Sequence, residues 1–186
     1  MQQQSQKIHT MVLAGLLCAI GIVIPIVSPI KINLEPASFT LASHVAVFIG
    51  CFISPMVGVA VALGTTLGFL FAGFPIVVVM RAATHVVFAW VCGWFVRRRP
   101  ELSTAPLRSL GFSFLIGVLH GLCEVLIVIP FYFSNHMTEG YYAKGFVLSV
   151  VVLVGVGSVI HSMVDYVISV LIWRPVRPLV MKNRAG

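Results

Sequence analysis

The sequence predicts an all-α integral membrane protein of six transmembrane helices with both termini in the cytoplasm. Three observations carry this. Of 186 residues, 59% are hydrophobic and 9% charged, and the mean hydropathy is +1.06, whereas a soluble domain carries roughly 25% charged residues. Apolar runs near bilayer-spanning length recur along the chain, separated by short polar breaks. With six spans, Lys7, Arg97, Arg98, Arg99, Arg108, Arg174, Arg177, Lys182 and Arg184 share one side, and Lys31 and Lys144 the other. The positive-inside rule puts the first side in the cytoplasm. The net charge of +7 is therefore read as topology, with no case for a nucleic-acid partner.

The whole of 1–186 reads as one membrane domain, with spans at about 8–29, 40–53, 56–72, 76–96, 109–133 and 145–173. The first is taken as a retained helix, since no convincing cleavage site interrupts it. Its small residues Ala14, Gly15, Cys18 and Ala19 form two small-xxx-small pairs suited to close helix packing. Residues 30–39, with Lys31, Asn33, Glu35 and Pro36, form a polar break. The second run is short for a spanning helix and can be partly re-entrant. Pro55 suits the first turn of the third segment, and Gly73-Phe74-Pro75 forms a turn into the fourth. The hydrophilic stretch 97–108 precedes two long segments, which are separated by the polar loop 134–144. Cys18, Cys51, Cys92 and Cys123 lie in apolar runs without CxxC spacing, as small packing residues.

The chemistry concentrates inside these runs. Arg81 stands alone in the fourth segment, and an unpaired guanidinium at membrane depth costs at least ~2.5–3.5 kcal/mol. It calls for a partner, a watered cavity or an anionic ligand. Glu124 falls at a similar depth, so an Arg81–Glu124 ion pair is one answer and a ligand carboxylate at Arg81 is another. The two can coexist, because a guanidinium has five donors. His85 shares the helical face of Arg81, and His120 that of Glu124. His161 and Asp165 repeat the four-residue spacing but read as deeper, with Asp165 a structural hydrogen-bonding group. Because the two His–carboxylate pairs are placed at different depths and no HExxH accompanies them, no metal site is expected. No GxSxG elbow or GxxxxGK[ST] loop occurs, so neither catalytic residues nor a resident cofactor are assigned.

Short-looped helices, the small-residue first helix and the stretch PASFTLASHVAVFIGCFISPMVGVAVALGTTLGF followed by AGFPIVVVMRAATHVVFA resemble one family. They are similar to the substrate-binding S components of energy-coupling factor (ECF) vitamin transporters, in the branch of pantothenate- and niacin-specific members. The resemblance implies a multi-pass protein of a bacterial plasma membrane that captures a small vitamin at the outer face. It implies a ligand site among Asn33, Glu35, Arg81, His85, His120, Glu124 and Asn135. It further implies that the first helix docks, through Ala14, Gly15, Cys18 and Ala19, on a transmembrane coupling subunit driven by two ATPases.

One intramembrane arginine favours a ligand with one carboxylate, which pantothenate and nicotinate both have. Pantothenate would use Glu124, His120 and Asn135 for its hydroxyls and amide, and the reading leans that way. Nicotinate would need an aromatic clamp, drawn from Phe74, Phe131, Tyr132, Phe133 and Tyr141. The competing classes are a self-sufficient proton-coupled carrier using the His/Glu/Asp set as a relay, and a structural membrane subunit pinned by Arg81–Glu124.

Overall fold

The computed structural model describes residues 2–34, 37–137 and 139–185. Helix α1 (Gln2–Val27) leads into an antiparallel hairpin, β1 (Lys31–Leu34) and β2 (Ala37–Thr40), with Lys31 opposite Thr40 and Leu34 opposite Ala37. Helices α2 (Val45–Ile53), α3 (Pro55–Phe71) and α4 (Ile76–Arg98) follow. A 3₁₀ turn, Pro100–Ser103, precedes α5 (Pro106–Phe133) and the short α6 (Glu139–Ala143). A π-helical stretch, Val147–Val156, then runs into α7 (Gly157–Ala185). Among the described residues, four helical stretches are long and apolar enough to cross a membrane: 3–27, 76–98, 106–133 and 147–181; α3 is shorter, at 17 residues.

The second apolar run departs most from the sequence reading. Its first residues belong to the hairpin and a turn, with Ala42 at φ 68°, so helix begins only at Val45. The nine residues of α2 reach about 13 Å at 1.5 Å per residue, less than half of a ~30 Å hydrocarbon core. All but Ile49 are buried, and the helix packs against α1, α3, α4 and α7. Between α2 and α3, the Ser54 hydroxyl accepts from the Val57 N–H, and Pro55 starts the next helix where no intrahelical donor is needed.

An aromatic ladder fills the centre. Phe88 meets Phe48, Phe48 meets Tyr166, Tyr166 meets Phe52 and Phe52 meets Trp173, with ring centroids 5.0–6.0 Å apart. Such pairs add to the burial of large apolar area. The Tyr166 hydroxyl is satisfied by the Leu102 carbonyl at 2.8 Å, which ties α7 to the turn after α4.

Helix α5 closely approaches the π-helical stretch that leads into α7. A Cβ on Gly121 would lie 2.7 Å from the carbonyl oxygen of Gly155, a backbone atom that cannot swing aside. Gly121→Ala must push the two helices apart, at the ~1–3 kcal/mol typical of overpacking. Its thermal midpoint in detergent should drop by several degrees. Gly111→Ala, on the same helix with nothing within 4 Å of the added carbon, should not fall. Equal midpoints for the two variants would show that the contact of α5 with the π-helical stretch is not a tight one.

Candidate ligand cavity

A cavity of about 170 Å³ opens where β2, the N-terminus of α2 and helices α3, α4, α5 and α7 meet. Its apolar wall comes from Pro25, Phe39, Val47, Phe69, Phe74 and Val78. Phe69 and Phe74 stack with centroids 4.8 Å apart, and Phe39 reaches in from the hairpin against His161. The polar wall holds Arg81 and His85 from α4, His120 and Glu124 from α5, His161 and Ser158 from α7, and Ser43 and His44 ahead of α2.

Two carboxylates organise the polar groups. Glu124 Oε2 accepts from Arg81 at 2.8 Å and also from the Ser158 hydroxyl. Its Oε1 lies 3.4 Å from His120 Nε2 and 3.8 Å from His85 Nε2. Both side chains of the Arg81–Glu124 pair are largely buried, at 11% and 4% exposed, so the pair is held away from water yet borders the cavity. Asp165 serves the α2 end. It accepts from the backbone N–H groups of Ala42 and His44, each at 2.8 Å, and its Oδ2 lies 3.1 Å from His44 Nδ1. An ionised carboxylate only accepts, so Nδ1 carries the proton and the other ring nitrogen of His44 presents a lone pair. That nitrogen, Nε2, points at His85 Nε2 across 3.3 Å.

Four imidazoles therefore share one region. The His44 ring is 4.6 Å from that of His85 and 4.8 Å from those of His120 and His161, with Phe88 packed beneath. The His120–Glu124 and His161–Asp165 pairs, separated in depth by the sequence reading, are brought to one level through His44. Asp165 makes the structural hydrogen bonds expected of it, to the turn and the imidazole ahead of α2.

Neither a protein-family profile nor a solved structure matches the chain. A curated relative does: the niacin transporter NiaX of Lactococcus lactis subsp. cremoris is 35% identical over 169 residues, covering 89% of this chain and 73% of that protein. This chain belongs to the S components of ECF vitamin transporters.

In this S component, the geometry assembles part of the residue set expected from sequence. Arg81, His85, His120 and Glu124 all border the cavity. Asn135, at φ 60° in the turn after α5, is exposed and lies away from its wall. Asn33 is in β1, but its side chain and the whole of Glu35 lie outside the described residues. Of the aromatic candidates, Phe74 lines the cavity, while Tyr132 packs in a separate cluster and Phe133 is exposed. Phe39 and Phe69, neither of them among those candidates, supply the rest of the aromatic wall. His44, Ser43 and Ser158 join the wall although none was among the expected ligand residues, and so does His161, which was read as lying deeper.

The two small-residue pairs of α1 also separate. Ala14 and Cys18 are half-buried and pack on the core, with Cys18 filling the space over Gly64 of α3. Gly15 and Ala19 are exposed, and a Cβ on Gly15 would meet nothing within 4 Å.

Proposed function

We propose that this chain is the membrane-embedded substrate-binding subunit of an ECF-type importer and that it captures niacin, as nicotinate, at the outer face of a bacterial plasma membrane. The observation that carries the reading is Arg81 beside a small cavity with the aromatic wall Phe39, Phe69 and Phe74. A flat ring can lie against those side chains with its carboxylate at the guanidinium and its ring nitrogen toward the histidines. At about 170 Å³ the cavity is small beside the ~300–1,000 Å³ usual for drug-sized ligands. That favours a single ring over the flexible amide chain of pantothenate, and the 35% identical relative is a niacin transporter. Both considerations move the weight from pantothenate to niacin.

The rest follows the family pattern. Six crossings, with α2 and the hairpin together serving as the second, put both termini on the side of Arg97–Arg99. The exposed Gly15–Ala19 face is the one offered to a transmembrane coupling subunit, and ATP hydrolysis belongs to two partner ATPases, so the chain itself is a transport subunit and not an enzyme.

Calorimetric titration of the purified chain tests the ligand. Nicotinate is expected to bind one to one, with nicotinamide, which lacks the carboxylate, at least ~10-fold weaker, a difference of about 1.4 kcal/mol. Pantothenate binding more tightly than nicotinate would reject the assignment. Uptake in proteoliposomes should require coupling subunit and ATPases together. Proton-driven uptake by the lone chain would establish the carrier reading instead.

A further inference from the structure

We propose that the floor of the cavity is a binding site for one divalent transition-metal ion of the zinc type, held by the ring nitrogens of His44, His85 and His120 and by Glu124 Oε1. The inference rests on the geometry of this floor and does not depend on the niacin assignment.

Zinc bonds of about 2.0–2.1 Å to nitrogen or oxygen place ligand atoms roughly 3.3 Å apart in a tetrahedron. His44 Nε2 and His85 Nε2 are 3.3 Å apart, and Glu124 Oε1 is 3.4 Å from His120 Nε2 and 3.8 Å from His85 Nε2. One ligating nitrogen from each of the three imidazoles lies within 4.8 Å of the others. Without an ion, the arrangement is a poor hydrogen-bond network. His120 is 1% exposed, and among the described residues neither of its ring nitrogens has a hydrogen-bond partner. Its 3.4 Å approach to Glu124 is close enough for attraction but outside hydrogen-bond geometry. A buried polar group left unsatisfied is costly, and coordination would satisfy one of the two ring nitrogens.

The surrounding contacts prepare the site. Asp165 accepts from His44 Nδ1, which turns Nε2 inward as a lone-pair donor, the carboxylate–histidine arrangement that orients metal ligands. Glu124 gives Oε2 to Arg81 and Ser158, leaving Oε1 for the ion. The neighbouring group His44–His161–Asp165 is also close enough in space. It is already spent on hydrogen bonds, with His161 Nε2 2.9 Å from the Ser43 hydroxyl. Imidazole with one carboxylate suits zinc, nickel or copper and not magnesium or calcium.

The test uses the full chain in detergent, free of any oligohistidine tag and stripped by chelator. Added Zn²⁺ should bind at one equivalent, read by native mass spectrometry. Co²⁺ in its place should give the intense visible absorption of a four-coordinate nitrogen/oxygen site. His120→Ala and His85→Ala should each weaken Zn²⁺ binding at least ~10-fold, while His136→Ala, at an exposed position outside the cavity, should not. Substoichiometric Zn²⁺, a weak octahedral Co²⁺ spectrum, or wild-type affinity in a correctly folded His120→Ala would overturn the proposal. Should both cavity variants fail to fold, the stoichiometry and spectrum of the unsubstituted chain decide alone. Nicotinate titration of the metal-loaded and stripped chain is scored separately, so either reading can fail without the other.

Discussion

Replacing Arg81 by alanine is expected to do two separable things. Nicotinate affinity should fall roughly ten- to a hundred-fold or more, since a hydrogen bond to a charged group contributes about 1.5–3 kcal/mol. Stability should fall as well, because Glu124 would remain buried with its cationic partner gone. Breaking a buried pair from one side costs ~3–5 kcal/mol, whereas replacing both partners by apolar side chains of similar volume is often close to neutral. The volume-conserving double variant Arg81→Met/Glu124→Leu should therefore recover much of the lost thermal midpoint while remaining defective in nicotinate binding. Calorimetry and thermal unfolding on the same preparations separate the two roles. A stable double variant that binds nicotinate like the unsubstituted chain would reduce Arg81 to a register pin.

The second large effect is expected at Asp165. Its carboxylate receives the Ala42 and His44 amides and the His44 ring, and it is fully buried. Asp165→Ala leaves buried donors unpaired at about 1–3 kcal/mol each, and it releases the N-terminus of α2. A loss of several kcal/mol is expected, visible as a lowered thermal midpoint. Hydrogen exchange gives the local signature: the Ala42 and His44 amides should exchange much faster. Asp165→Asn should restore part of the protection, because its amide oxygen can still accept one of these bonds. Unchanged exchange in the alanine variant would mean that something else holds this turn.

Sequence patterns carried the long helices and the central charges. A long apolar run interrupted by one arginine is legible because burying that charge alone is so unfavourable, and Glu124 is the nearest acid at matching depth. The four-residue spacing of His120–Glu124 and His161–Asp165 was legible for the same helical reason. Their common level was not, because it depends on where α2 begins. That boundary is fixed from a distance, by Asp165, more than a hundred residues along the chain from the amides it binds. Apolar content alone reads 40–53 as one run, while the hairpin takes its start and the Ala42 turn shortens the helix. Phe39 was hidden likewise, since it enters the cavity only because β2 folds back over it.

The short helix α2 has a mechanical consequence. One end carries His44 to the cavity, and Cys51, Phe52, Ile53 and Ser54 at the other end border a second, separate hollow beside Arg97 and Arg177. Between the two hollows α2 and the aromatic ladder form a dry stopper, with Phe48 and Phe88 wholly buried. Among the described residues the two hollows share no lining side chain, and joining them would mean unpacking Phe48 and Phe88, two of the best-buried side chains in the core.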